Sequence, residues 1–253
     1  MMIRAVIFDL DGTLIQTERL KAQSYARAAV QLKPGFFSEE EAFATFADFV
    51  GGSREEVARG MLNRLGLEEA AKARISDFSA SEPWQVYVRL RLRIYEQIVS
   101  DEALLQQSAW KHNVALLNQV RAANCKVGLA TMSHCPQVER SLRALGLEGA
   151  FDFIATREDV ENPKPDPEIY QLVTRSLGVL PRESLIVEDS VSGVKAALAA
   201  GALVLAVATP LTRHQLHESG SLDDHHIVDS PDQLQERMAH LMNHHKTNHR
   251  PLY

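Results

Sequence analysis

Asp9 and Asp11 stand one residue apart where the apolar run Ala5-Val6-Ile7-Phe8 stops, and Gly12-Thr13-Leu14 follows them. An acidic pair of this kind can hold a hard cation through oxygen, and one of its members can attack an electrophile. A solvated Asp-Gly turn uses the same residue types. A second acid pair, Glu188-Asp189, ends the run Leu185-Ile186-Val187, with Ser192-Gly193 just beyond. Acids at the ends of two separate strands would make a site for Mg²⁺, which prefers carboxylates, phosphate and retained waters. A solvated acidic turn is again the alternative. Thr131-Met132-Ser133 follows Gly128-Leu129-Ala130. A hydroxyl there, with free backbone N–H groups after it, can hold phosphate oxygens, or it can simply cap the next helix. Lys164 lies in Asn162-Pro163-Lys164-Pro165-Asp166-Pro167, where the prolines stiffen the backbone. It would offset phosphoryl charge and keep a carboxylate nucleophile ionised, unless it is an ordinary exposed lysine of a Pro-rich loop.

Such groups, scattered along the chain, need a scaffold that gathers them. Ala5–Phe8 reads as a strand buried on both faces of a parallel sheet, which leaves its acids just past the carboxyl end, where open α/β sheets place ligands. From Leu116 onward helix and strand patterns alternate. Helices are predicted over 114–123, 138–145, 169–177 and 194–200, and strands over 126–130, 151–155, 184–187 and 203–207. Ile227-Val228 is a candidate edge strand before a helix begun at Ser230-Pro231. Between Thr17 and about Ser100 the signals are helical. Residues 19–32 are Ala-rich and closed by Pro34-Gly35, and Ser38-Glu39-Glu40-Glu41 and Ser53-Arg54-Glu55-Glu56 both match the capping box. Leu62, Leu65 and Leu67, then Trp84 to Val99, supply further apolar faces. The expected fold is α/β: a Rossmann-like parallel sheet core flanked by helices, from residues 1–16 and 101–253, with a small all-helical domain inserted over 17–100. The tail, 243–253, reads as poorly ordered.

The 253 residues, 45% hydrophobic and 24% charged, suit one large globular domain or two smaller ones. A net charge of −6 speaks against nucleic acid or an anionic membrane as partner. No apolar run approaches the ~20 residues that span a bilayer. Cys125 precedes a core strand and Cys135 lies in a loop, so no structural disulfide is implied, and the expected compartment is the cytoplasm.

The four polar stretches, in this order, resemble the four motifs of the haloacid dehalogenase-like phosphohydrolases, whose signature is Asp-x-Asp-Gly-Thr after a hydrophobic strand. The resemblance runs from Arg4 to about Thr209. It implies that Asp9 is the nucleophile that becomes an aspartyl phosphate, and that Asp11 is the general acid for the leaving alcohol and then the base. It implies that Thr131 and Lys164 hold phosphoryl oxygens, with Met132 and Ser133 beside the substrate. Mg²⁺ would be bound by the Asp9 side chain, the Asp11 backbone carbonyl and Asp189, with Glu188 as a further direct or water-mediated ligand. An Asp11 that alternates between acid and base must point its side chain away from the cation.

The helical insert is similar to the family's cap, which closes over the site and selects substrate. Within it Val50-Gly51-Gly52-Ser53-Arg54-Glu55 resembles the Gly-x-Ser-Arg segment of β-phosphoglucomutases and related sugar phosphatases. Gly52, Ser53 and Arg54 are therefore candidate substrate contacts, Arg54 for a distal phosphate, although an exposed first-turn arginine behind a Ser53 cap fits the same pattern. Lys21 falls near the place of the mutases' hinge histidine and is a further candidate. Gln16 replaces a common acid, and Gln107-Ser108-Ala109-Trp110-Lys111-His112 replaces a Pro-Gly turn. These departures touch the connections to the insert and leave the four motifs intact. The implied activity is a Mg²⁺-dependent phosphatase of a small phosphorylated metabolite, a sugar or polyol phosphate, in a monomer or weak homodimer. A β-phosphoglucomutase-type phosphohexomutase is the alternative, and a catalytically inactive ligand-binding homologue a distant one. His240, His244, His245 and His249 read as solvated, and Trp84 and Trp110 as packing residues.

Overall fold

A computed structural model describes residues 2–49 and 52–247, with side chains through Leu241. Strand β1 (Ala5–Phe8) is buried along its whole length, as four consecutive apolar residues in mid-sheet require. Helices α1 (Thr17–Leu32), α2 (Glu39–Phe46), α3 (Arg54–Arg64), α4 (Glu68–Lys72), α5 (Pro83–Ser100), α6 (Glu102–Gln107) and α7 (Lys111–Ala122) follow. The chain continues through β2 (Lys126–Ala130), α8 (Cys135–Ala144), β3 (Phe153–Ala155), α9 (Glu168–Ser176), β4 (Ser184–Glu188) and α10 (Val191–Ala199). It ends with β5 (Leu203–Val207), α11 (Arg213–Glu218), β6 (Ile227–Val228) and α12 (Leu234–Thr247). The fold divides into two compact units, Met1–Gln16 with Leu105–Tyr253, and Thr17–Leu104.

In the first unit six parallel strands form one sheet in the order β3-β2-β1-β4-β5-β6. From β1 the chain builds outward through β2 and β3, then returns to the other side of β1 with β4. That reversal leaves a crevice at the carboxyl ends of β1 and β4. Register levels the strand ends: Phe8 lies opposite Leu129 on one side and Val187 on the other. The core packs Ile7, Ile186 and Val204 of the sheet against Tyr170 and Val173 of α9 and Val194 and Ala197 of α10. Asn113 Nδ2 on α7 donates to the Thr13 carbonyl at 2.6 Å and fixes the loop after β1.

Two connections run side by side here. Gln16 N–H donates to Ser108 O at 2.8 Å and Trp110 N–H to Leu14 O at 2.9 Å, so the stretch leaving β1 pairs with the stretch leading into α7. Trp110 is half-buried rather than a core residue, and it lines a cavity of about 340 Å³ with Asn113, Thr209 and Arg213.

The second unit is all-helical. Tyr87 on α5 donates its phenol proton to the Tyr25 carbonyl of α1 at 2.8 Å, and the Tyr25 ring lies 5.4 Å from that of Phe46 on α2. Both capping boxes form, Ser38 with Glu41 and Ser53 with Glu56. Trp84 is half-buried beneath Arg59, whose guanidinium is 5.6 Å from its ring.

Several boundaries differ from expectation. α7, α8 and α10 begin about three residues early, so Cys135 opens a helix instead of lying in a loop. α6 and α11, each six residues, are too short to show a period. α12 continues to Thr247, so part of the tail expected to be poorly ordered is helical; residues 248–253, including His249, lie outside the described residues. His240 is exposed, and the side chains of His244 and His245 lie outside the described ones. Among the described residues no helix is long and apolar enough to cross a membrane.

Candidate active site

The carboxyl edge of the sheet gathers the four polar stretches. Asp9 continues β1: its N–H donates to Val187 O at 3.0 Å, and its side chain is buried. Glu188, expected just past a strand, is instead the last residue of β4, lies opposite Ala206 and is 1% exposed. Such burial is tolerated only because each oxygen is satisfied. Oε1 accepts from Lys164 Nζ at 2.6 Å and from the Tyr170 phenol at 2.8 Å. Oε2 accepts from Asp189 N, Ser190 N and Ser190 Oγ at 2.9–3.0 Å.

Lys164 reaches this edge from the Pro-rich loop before α9. Glu168 braces the loop, accepting from the backbone N–H groups of Glu161 and Asn162 at 3.0 and 2.8 Å. The ammonium uses all three protons, on Asp9 Oδ1 at 2.7 Å, Glu188 Oε1 and the Ala130 carbonyl at 3.0 Å. The exposed-lysine alternative is therefore not the arrangement adopted, since the side chain is 6% exposed. Burial opposes its charge, but Asp9 and Glu188 raise the ammonium well above its ordinary value. Burial would raise Glu188 as well, but Lys164, with the Ser190 N–H and the Tyr170 phenol, holds it low. Asp9 goes the other way: burial, helped by Glu188 and Asp11 and opposed by Lys164, pushes it up to about 8. Among the described residues nothing donates to its second oxygen, Oδ2.

Carboxylate oxygens of Asp9, Glu188 and Asp189 lie within 4.8 Å of one another. With all three ionised, their charge exceeds that of the Lys164 ammonium by the charge of a single divalent cation. Hard oxygen donors in that number suit Mg²⁺. Two glycines make the cluster possible. Gly12 has φ +89°, and a Cβ there would fall 2.0 Å from Asp189 Oδ2; a Cβ on Gly193 would fall 1.8 Å from Glu188 Oε1.

Asp11 is not part of this cluster. Its Oδ2 accepts from the Ser133 hydroxyl and from Thr131 Oγ1, the latter at 3.3 Å. Thr131 Oγ1 also accepts from Ser133 N–H at 3.1 Å, and neither hydroxyl caps α8, whose cap is His134 without a side-chain bond. The Met132 side chain packs on the sheet core, which leaves its backbone as the part able to meet a ligand.

Lys21, Gly52, Ser53 and Arg54 belong to the helical unit. Ser53 caps α3, while Arg54 is exposed and among the described residues makes no ion pair. Val50 and Gly51 lie outside the described residues. Sequence reasoning did not identify Tyr170 or Asn113 as parts of this edge, and it gave Ser190 and Gly193, which follow the second acid pair, no role of their own. The only local hint for Tyr170 is its place six residues after Lys164, in the helix that the Pro-rich loop enters.

Residues 6–207 match the model of the haloacid dehalogenase-like hydrolases. The phosphorylated carbohydrates phosphatase of Thermotoga maritima is 31% identical over 201 residues, 79% of this chain and 82% of that protein. Protein CbbY of Cereibacter sphaeroides is 29% identical over 218 residues, 85% of this chain and 88% of its own length. The crystal structure of CbbY from Rhodobacter sphaeroides in complex with phosphate superposes with a TM-score of 0.61 at 26% identity, covering 92% of this chain and 96% of that one.

Proposed function

The chain belongs to the haloacid dehalogenase-like hydrolase family, and within it we propose a Mg²⁺-dependent phosphatase of small phosphorylated sugars or polyols that works through an aspartyl phosphate on Asp9. The observation that carries this reading is the asymmetry of the first motif. Asp9 is buried, tied to Lys164 through one oxygen and undonated at the other, whereas Asp11 turns toward hydroxyls. The similarity to the phosphorylated carbohydrates phosphatase of Thermotoga maritima supports the substrate class.

Asp9 and Asp189, with the Asp11 carbonyl, are the residues that would hold the cation. Glu188 already accepts five hydrogen bonds and stands behind them. When bound, Mg²⁺ neutralises phosphoryl charge and favours ionised Asp9 over the protonated form that burial favours. Asp9 Oδ2 attacks phosphorus, and Lys164 offsets the charge that gathers on the transferring group. To reach a phosphoryl oxygen Lys164 exchanges one of its present acceptors, for which the Ala130 carbonyl is the neutral choice. Asp11 gives a proton to the departing oxygen as the P–O bond breaks. It then takes one from the water that opens the aspartyl phosphate. The Thr131 and Ser133 hydroxyls rotate between Asp11 and the phosphoryl oxygens.

We assign substrate choice to the helical unit, with Lys21, Gly52 and Ser53 as contacts and Arg54 for the distal part of the substrate. The test is phosphate release from a panel of sugar, polyol and nucleotide phosphates, with and without Mg²⁺, beside a glucose 1-phosphate to glucose 6-phosphate assay with bisphosphate primer. Mg²⁺-dependent release, greatest on sugar or polyol phosphates, is the expected result. Arg54→Ala should raise KM about tenfold for substrates with a distal phosphate and leave 4-nitrophenyl phosphate unaffected. Isomerisation with little phosphate release would make the enzyme a mutase, and no turnover at all would make it a binding protein.

A further inference from the structure

Tyr170 has no part in the chemistry described so far, yet it is fully buried at the back of the catalytic edge. It sits in the first turn of α9, the helix entered from the Lys164 loop. Two contacts join it to the site. Its phenol donates to Glu188 Oε1 at 2.8 Å, and its ring lies 4.9 Å from the Lys164 ammonium. Lys164 donates to that same Glu188 oxygen at 2.6 Å and to Asp9 at 2.7 Å. We propose that Tyr170 is a positioning residue for phosphoryl transfer: its O–H and its ring face hold Glu188 and Lys164 in the arrangement that aims Lys164 at Asp9.

The physical argument is one of occupied lone pairs. Glu188 Oε2 has three donors from the backbone and side chain that follow it, so its position is set by β4 and α10. Oε1 has two, one of them the phenol. Removal of the phenol donor leaves Lys164 as the sole partner of a buried carboxylate oxygen, which draws the ammonium toward Glu188 and away from Asp9. It also frees a lone pair beside the cation cluster, where Glu188 then competes with Asp9 and Asp189. The ring contact adds a face on which a desolvated ammonium is favoured. A buried tyrosine that merely packs needs only a satisfied O–H; this one shares its acceptor with the catalytic lysine.

This inference rests on the phosphatase reading above. Tyr170→Phe keeps the ring and the volume and removes only the donor. With 4-nitrophenyl phosphate as probe it should lower kcat about tenfold and leave KM within about twofold. Retention of kcat within twofold overturns the proposal. A packing role would move the melting temperature and not kcat. Should Tyr170→Phe fail to fold, 4-aminophenylalanine and 4-methylphenylalanine at position 170 are matched in size and differ in the donor. Loss of kcat with the methyl variant alone supports the proposal, and equal rates overturn it. In a Glu188→Gln background Tyr170→Phe should cost less than twofold, because the acceptor it orients is altered; full multiplication of the two losses contradicts the account. Failure of the underlying reading looks different: wild type itself would then show no Mg²⁺-dependent release.

Discussion

Asp9 and Asp11 are the same residue type, two positions apart at the end of one strand, and they stand in opposite surroundings. Asp9 is 5% exposed, bound to a buried lysine and grouped with two more buried acids. Asp11 is half-buried and meets two hydroxyls. One side of the site is ionic and fixed; the other is neutral and adjustable. A nucleophile gains from being held and stripped of water, whereas a group that must gain and then lose a proton gains from partners that can rotate. Gly12, the next residue, serves the ionic side: its left-handed backbone lets the chain pass against Asp189 where no side chain fits.

Three substitutions sharpen or break this comparison. Asp9→Asn should reduce phosphate release below about 10⁻⁴ of wild type, with circular dichroism unchanged, because the amide cannot form the acyl phosphate. Asp11→Asn should cost about 10²–10⁴ in kcat on alkyl phosphates and less on 4-nitrophenyl phosphate, whose leaving group needs no proton. Quenched-flow trapping of the enzyme should then show phosphoenzyme accumulating, because the step that needs a base is slowed. If Asp11→Asn instead matched Asp9→Asn on both substrates with no trapped phosphoenzyme, the division of roles would be wrong. Ser133→Ala is the smallest change. It should lower kcat about tenfold through a less well-oriented Asp11, with KM for Mg²⁺ unmoved, since Ser133 does not touch the acid cluster.

How much of this was legible in the chain depended on distance along it. The strands at 5–8, 126–130 and 203–207 were read correctly because each is a bounded apolar run, and both capping boxes because their partners are three residues apart. The four polar stretches were visible for the same local reason. Tyr170 was not, because its partner Glu188 is 18 residues away and only the packing of α9 on the sheet brings them together. Asn113, which reaches back 100 residues to Thr13, left no local trace either. Glu188 was expected past its strand, since a carboxylate inside a sheet looks forbidden until its five donors are known. Ser133 reads from the sequence as a residue beside the substrate, and its bond to Asp11 across 122 residues emerges only with the register of β1 and β2.

The central claim is that Asp9, and not Asp11, takes the phosphoryl group. The most direct measurement is rapid acid quench of the Asp11→Asn enzyme during turnover of 4-nitrophenyl phosphate with Mg²⁺, followed by peptide mass spectrometry. A phosphoryl group on the peptide containing Asp9, localised to that residue by borohydride reduction and lost in Asp9→Asn, is the predicted result. Wild-type turnover without any such adduct, or an adduct on another residue, would contradict the account.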